Sequence, residues 1–299
     1  SFITTMPAQL KVNQDTLTLN TGAKIPAVGL GTWQSAPDDV YNATLTALKN
    51  GYRHIDTAAI YGNEEDVGRG IKDSGVPREE IFVTTKLWNT EHKNVQQALD
   101  ISLKKLGLDY VDLYLIHWPV STDKATNAPY PDYDFVDAYK ELQKIYKTTN
   151  KVKAIGVSNF TVKKLEKLLT SEGVDVVPAT NQVEAHPLLT QPDLYNYLQE
   201  KGIVLEAYSP LGSTGSPLFK YKDVQAIAEK NQVEPAQVLI SWAVQRKTVV
   251  LPKSVTDARI ISNLKTFVLS DEDFETLNKI SLTEGEVRTC DPPFNNFKD

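Results

Sequence analysis

The sequence is short of several things, and each shortage closes a class of function. It has one cysteine, Cys290, among 299 residues, so no internal disulfide can staple the chain. That economy suits a reducing compartment, and a cytoplasmic location is expected. It has four histidines and no H-x-H or H-E-x-x-H spacing, so no metal is expected. Positive charge is in deficit, with 32 Lys and Arg against 38 Asp and Glu, a net charge of −6. No nucleic-acid or anionic-membrane partner follows from that balance. No apolar run approaches the ~20 residues that span a bilayer, and the opening SFITTMPAQLK lacks the apolar core of a secretory signal. No Pro/Gly/Ser-rich linker divides the chain, which predicts one domain over residues 1–299. There is also no G-x-G-x-x-G after a first strand. The nearest approach, Gly29-Leu-Gly31-Thr-Trp-Gln34, lacks the third glycine, which argues against a doubly wound dinucleotide fold.

What is present is alternation. Short apolar or β-branched runs fall at 27–32, 53–58, 81–87, 111–118, 152–159, 178–184, 203–209 and 249–254. Stretches with apolar residues at helical spacing separate them, such as DDVYNATLTALKNG and VQQALDISLKKLG. These two helices are expected to stop at Gly51 and Gly107, and others to start after Thr161 and Asp223. Eight strands alternating with helices predict an α/β fold, a (β/α)8 TIM barrel. An N-terminal hairpin (LTLN-TGAK-IPAV), an extra helix near 271–280 and a C-terminal tail over the active-site face account for the rest.

Barrel chemistry sits at strand C-termini, and every strand here ends polar. The ends are Thr32 and Trp33; Asp56; Lys86; His117; Ser158 and Asn159; Gln182 and Glu184; Tyr208 and Ser209; Lys253 and Ser254. Taken singly, an Asp after a strand is most often a turn residue, and a lone His a hydrogen-bonded core residue. Eight polar ends on one rim weigh the other way. Lys86 follows FVTT on an apolar strand, so its ammonium needs a buried partner, and Asp56 on the preceding strand supplies one. Tyr61, presented by a turn through Gly62, would have its phenolate favoured by that ammonium, which predicts a pKa below the usual value of about 10. Such a phenol can exchange a proton with a substrate, and His117 can orient the substrate oxygen.

In this order GYRHIDTAAIYGNE, LDYVDLYLIHWP, KAIGVSNF, NQVEAHPLL, AYSPLGS and LPKSV…R span nearly the whole chain. Together they make it resemble an aldo-keto reductase, in flavour an NADPH-dependent carbonyl reductase or glycerol dehydrogenase. The resemblance implies Tyr61 as proton donor, Lys86 and Asp56 as its tuning pair, and His117 as guide of the carbonyl. It implies a cofactor held by Thr32, Trp33, Ser158, Asn159 and Gln182, with Tyr208 under the nicotinamide and Ser209, Leu211 and Ser213 at the pyrophosphate. Lys253, Ser254 and Arg259 would grip a 2′-phosphate, with Asn263 near adenine, so NADPH rather than NADH is expected. Trp33, Trp88 and Trp118, with His117, would line the substrate pocket. The chain departs from the family at the proline-broken segment 120–134, read as a lid, and at the tail, where Phe294 and Phe297 either reach the pocket or pack outside it. Reduction of aldehydes or ketones is expected, including α-ketoesters or dicarbonyls. Polyol oxidation in reverse is the alternative, and a regulatory barrel without turnover a weaker one. A monomer is the family's commonest form. A metal-dependent hydrolase would have to use Glu184, His186 and His117; the first two are read instead as structural residues.

Overall fold

The computed structural model describes residues 7–213 and 215–299; the opening six residues, on which the reading of a missing signal partly rests, lie outside it. Eight parallel strands run β1 (Leu30–Gly31), β2 (His54–Asp56), β3 (Phe82–Leu87), β4 (Leu113–Ile116), β5 (Ile155–Ser158), β6 (Thr180–Glu184), β7 (Val204–Tyr208) and β8 (Val249–Leu251). Each pairs with its neighbour in sequence. Parallel bridges from Val28 to Val250 and from Gly31 to Lys253 close the sheet on itself. The (β/α)8 barrel expected from the alternation is therefore the fold, with every strand where the sequence placed it but shorter.

The connecting helices are α1 (Pro37–Lys49), α2 (Glu64–Ser74), α3 (Val95–Leu106), α4 (Phe135–Thr148), α5 (Val162–Thr170), α6 (Pro192–Lys201), α7 (Lys222–Asn231), α8 (Pro235–Gln245) and α9 (Asp257–Asn263), followed by α10 (Asp271–Glu284). Gly107 ends α3 in the left-handed region, and the Thr161 hydroxyl caps α5 by accepting from the Lys164 amide, both as the sequence indicates. Asp223 does not cap α7: the helix starts at Lys222 after Tyr221, leaving Asp223 inside the first turn. The first helix ends at Lys49 with Asn50 as its C-cap, one residue before Gly51. At Gly68, α2 comes close to α3, since a Cβ there would lie 2.2 Å from the Leu106 carbonyl oxygen.

Apolar residues fill two regions. Helix faces pack on the outside of the barrel around Val40, Leu99, Tyr139, Leu165 and Trp242. The hairpin of Thr16–Thr18 and Lys24–Pro26 drives Leu19 and Ile25 against Phe82, Leu113, Leu115, Val249 and Leu251, closing the N-terminal mouth. Burying a side chain such as Ile25 is worth roughly 1.5–3 kcal/mol, and with one mouth plugged, only the C-terminal mouth is left open for chemistry. Among the described residues, no helix is long and apolar enough to cross a membrane.

Candidate active site

At that mouth lies a cavity of about 940 Å³. It is lined by Thr32, Trp33, Asp56, Tyr61, Trp88, His117, Trp118, Ser158, Asn159, Gln182, Tyr208, Ser209, Leu211, Ser213, Lys253, Ser254, Arg259 and Asn263. Every residue predicted to be functional faces this cavity except Lys86, which is wholly buried just beneath it.

The Lys86 ammonium donates to Asp56 Oδ1 at 2.6 Å, to the Thr57 carbonyl at 2.9 Å and to Tyr61 Oη at 3.2 Å. Burial alone would disfavour its charge, but Asp56 and then Tyr61 outweigh that and leave the ammonium harder to deprotonate than a free lysine. Asp56 is fixed from the far side as well: the Gln182 amide donates to its Oδ2 at 2.8 Å. Tyr61 ends a single 3-10 turn, Ala59–Tyr61, which Gly62 terminates at φ +70°. That left-handed position suits glycine and turns the phenol into the mouth. Asn63 holds the turn in place by donating to the Thr32 and Ser35 carbonyls.

The expected lowering of the Tyr61 pKa is not what the site gives. Burial pushes the phenol up, and Asp56 adds to that, whereas Lys86 pulls it down by charge and by hydrogen bond; the net direction is upward. Desolvation of the anion beats the ammonium. The phenol thus rests protonated, with a cation in place to steady the phenolate once the proton leaves. His117 packs edge-on to Tyr61, with ring centroids 5.8 Å apart. Burial and then Lys86 hold its imidazole well below the ordinary range, so the ring is neutral. A neutral ring can donate a hydrogen bond but is a poor proton source, and the phenol is the better acid.

The polar groups expected to meet a carboxamide are partly occupied. Ser158 donates to the Gln182 backbone carbonyl, Asn159 donates to the His117 carbonyl and to Ser158 Oγ, and Tyr208 donates to Asn159 Oδ1 at 2.6 Å. The Thr32 hydroxyl donates to the Asp56 carbonyl. These bonds set the side chains along the cavity wall. Toward the other end, Lys253 and Arg259 are exposed and have no carboxylate partner among the described residues.

The aromatic wall is Trp88, Trp118 and half-exposed Trp33, joined by Phe294 from the tail, whose ring centroid lies 5.2 Å from Trp118 and 6.0 Å from Trp88. Phe297 packs on Trp118 from outside the cavity, with the Arg288 guanidinium 3.9 Å over its ring. Of the two tail phenylalanines, one reaches the pocket. The segment 120–134, read as a lid, lines none of the cavity. Ser121 and Thr122 are buried, Ser121 bonds His92 at 2.6 Å, Tyr133 donates to the His92 carbonyl, and Asp134 caps α4. Glu184 and His186 form a buried pair at 2.7 Å, and Glu184 also accepts from the Thr289 and Cys290 amides and from the Thr289 hydroxyl. They anchor the tail, and His117 is not part of the group.

Sequence reasoning missed Ile60, Phe219, Glu234 and Cys290 on the wall. Glu234 could have been found, because E-P followed by Gln237 is a helix-start pattern and its capping box puts α8 at the rim. It also missed Glu206 and His54 in the barrel interior.

Residues 27–282 match the aldo/keto reductase family. The chain is 55% identical over 313 residues to "Glycerol 2-dehydrogenase (NADP(+))" of Saccharomyces cerevisiae, covering 98% of this chain and 100% of that one. It is 51% identical to "Aldehyde reductase YPR1" of the same yeast, covering 98% of this chain and 99% of that protein. "D-galacturonate reductase" of Hypocrea jecorina is 48% identical, with 92% and 94% covered. Among solved structures, an aldo/keto reductase from Brucella melitensis superposes with a TM-score of 0.80 at 43% identity, covering 89% of this chain and 98% of its own. The chain belongs to the aldo/keto reductase family.

Proposed function

We propose that this chain, folded as one barrel domain, is an NADP(H)-dependent oxidoreductase that interconverts carbonyl compounds and alcohols, with Tyr61 as the proton donor in reduction. The observation that carries the reading is the Tyr61 hydroxyl 3.2 Å from the buried Lys86 ammonium at the open mouth of the barrel. A binding protein has no use for a phenol bonded to a buried cation, whereas a proton donor does.

The donor set fits a phosphorylated dinucleotide. Lys253 and Arg259, which have no carboxylate partner among the described residues, match a 2′-phosphate by charge together with the Ser254 hydroxyl. Tyr208 offers a ring face, and Ser158, Asn159 and Gln182 line the same wall with polar groups suited to a carboxamide. When bound, NADPH supplies the hydride that no side chain can. The chain does the rest. Trp33, Trp88, Trp118 and Phe294 exclude water around the substrate, and neutral His117 orients its oxygen. Tyr61 Oη gives that oxygen its proton, while Lys86, held by Asp56 and by the Thr57 carbonyl, stabilises the phenolate left behind. Solvent then restores the phenol proton. The reverse path needs the same phenol as base.

The aromatic wall favours aldehydes and ketones with an apolar face, and the names of the relatives add glycerol and a sugar acid as candidate substrates. A monomer in the cytoplasm is the setting we propose. The test is a screen at the NADPH absorbance band with aldehydes, α-ketoesters and diketones, run beside polyols with NADP. Tyr61→Phe is expected to keep NADPH binding, measured by quenching of tryptophan fluorescence, and to lose at least roughly 100-fold in kcat. Turnover by the Phe variant within threefold of wild type would remove Tyr61 from the chemistry.

A further inference from the structure

Inside the barrel, below Asp56, sits a carboxyl that this chemistry leaves unused. Glu206 is fully buried at the centre of β7, in register with Gln182 of β6 and Val249 of β8. Neither of its carboxyl oxygens has a hydrogen-bond partner among the described residues. One of them, one Asp56 oxygen and a ring nitrogen of His54 all lie within 4.8 Å of one another. Thr180 and Gln182 stand beside it and favour its anion, but neither makes a hydrogen bond of good geometry with it.

The groups around it decide its charge. From β2 come His54 and Asp56, from β3 Lys86, from β6 the neutral Thr180 and Gln182, and from β8 the apolar Val249. Burial lowers the His54 pKa, and His54 Nδ1 lies 3.0 Å from the Pro26 carbonyl, so the ring is neutral and Nδ1–H donates. Asp56 and Lys86 balance each other, and an ionised Glu206 would leave one net negative charge in a closed core. Burial, and then Asp56, push the Glu206 carboxyl up to about 8.

Resting on the reading of Tyr61 as proton donor, we propose that Glu206 is a positioning residue: its carboxyl sets how much negative charge stands behind Lys86, and so how readily Tyr61 gives up its proton. While Glu206 is neutral, Asp56 and Lys86 act on the phenol alone. Once ionised, it faces the same ammonium, draws on its field and makes the phenolate harder to form. In alkaline conditions Tyr61 therefore keeps its proton longer than it would over a neutral residue. That extends carbonyl reduction to higher pH and holds back alcohol oxidation there.

Glu206→Gln keeps the shape and removes the ionisation. We expect kcat/KM for carbonyl reduction to match wild type within about twofold near pH 6 and its alkaline fall to begin about one pH unit lower. Glu206→Asp should restore the wild-type profile. An equal loss at every pH would make Glu206 a packing residue only, and superimposed profiles would make it electrically silent; either overturns the proposal. Should the Gln variant not fold, wild type carrying 13C-labelled glutamate carboxyls is titrated by NMR. One glutamate should titrate near pH 8, and none titrating between about 7 and 9 would overturn the proposal. Tyr61→Phe separates the two claims: if it abolishes turnover while Glu206→Gln leaves the profile unmoved, only the role of Glu206 fails.

Discussion

Replacing Lys86 with Met removes the cation that touches the Tyr61 phenol while keeping much of its volume. At 3.2 Å, a unit charge at an effective dielectric of about 20 is worth about 5 kcal/mol to the phenolate. Asp56 stays in the variant, so the whole of that attraction is lost. With the proton about half transferred in the transition state, about 2–3 kcal/mol of it reaches the barrier, or roughly 30- to 150-fold in the rate of proton donation. The assay is kcat/KM for carbonyl reduction at neutral pH, with NADPH affinity followed separately by fluorescence quenching. We expect kcat/KM to fall by roughly two orders of magnitude while the dissociation constant for NADPH changes little. Loss of stability is expected too, because Asp56 is left with one polar partner fewer in the core, so the comparison is made on protein that still melts cooperatively. A variant that folds, binds NADPH and turns over within threefold of wild type would refute the claim that the ammonium stabilises the departing proton's anion.

Arg259→Ala should raise KM for NADPH roughly tenfold or more, leave kcat near wild type and narrow the preference over NADH; an unchanged NADPH/NADH ratio would contradict the 2′-phosphate assignment. Glu184→Gln removes the charge that gathers the Thr289 and Cys290 amides, and should raise KM for bulky carbonyls and cost about 1–3 kcal/mol in urea unfolding. An unaltered substrate profile would show that the tail holds without it. Burial pushes the His92 pKa down to about 3. Between about pH 6.5 and 3 the unfolded chain binds a proton that the folded one refuses, so its contribution to stability declines as pH falls through that window. His92→Gln should flatten the acid slope of unfolding free energy, and an unchanged slope would place the titration elsewhere.

Much of the site was legible because a barrel turns sequence periodicity into geometry. Each apolar run that ends polar delivers that polar residue to one rim, so Asp56, His117, Gln182 and Lys253 could be grouped without coordinates. Contacts across the barrel leave no such trace. Gln182 clamps Asp56 from 126 residues away, and Glu206 meets His54 and Asp56 only because the strands curve round to face each other. The sign of the Tyr61 shift was misread because proximity to a cation is visible in sequence while depth of burial is not. Segment 120–134 looked like a lid from its prolines and polarity, yet its outcome hangs on Ser121, Thr122 and Tyr133 finding partners on the 89–93 turn. Asp223 had the chemistry of a cap and missed the position by two residues.

Because Glu184 grips the chain at residues 289 and 290, and Lys164 of α5 holds it again at the Asn296 carbonyl and the Asp299 carboxylate, the stretch between is strung from two fixed points. Residues 291–295 could then be exchanged as a cassette, changing what faces Trp88 and Trp118 while Tyr61, Lys86 and the dinucleotide groove are left untouched.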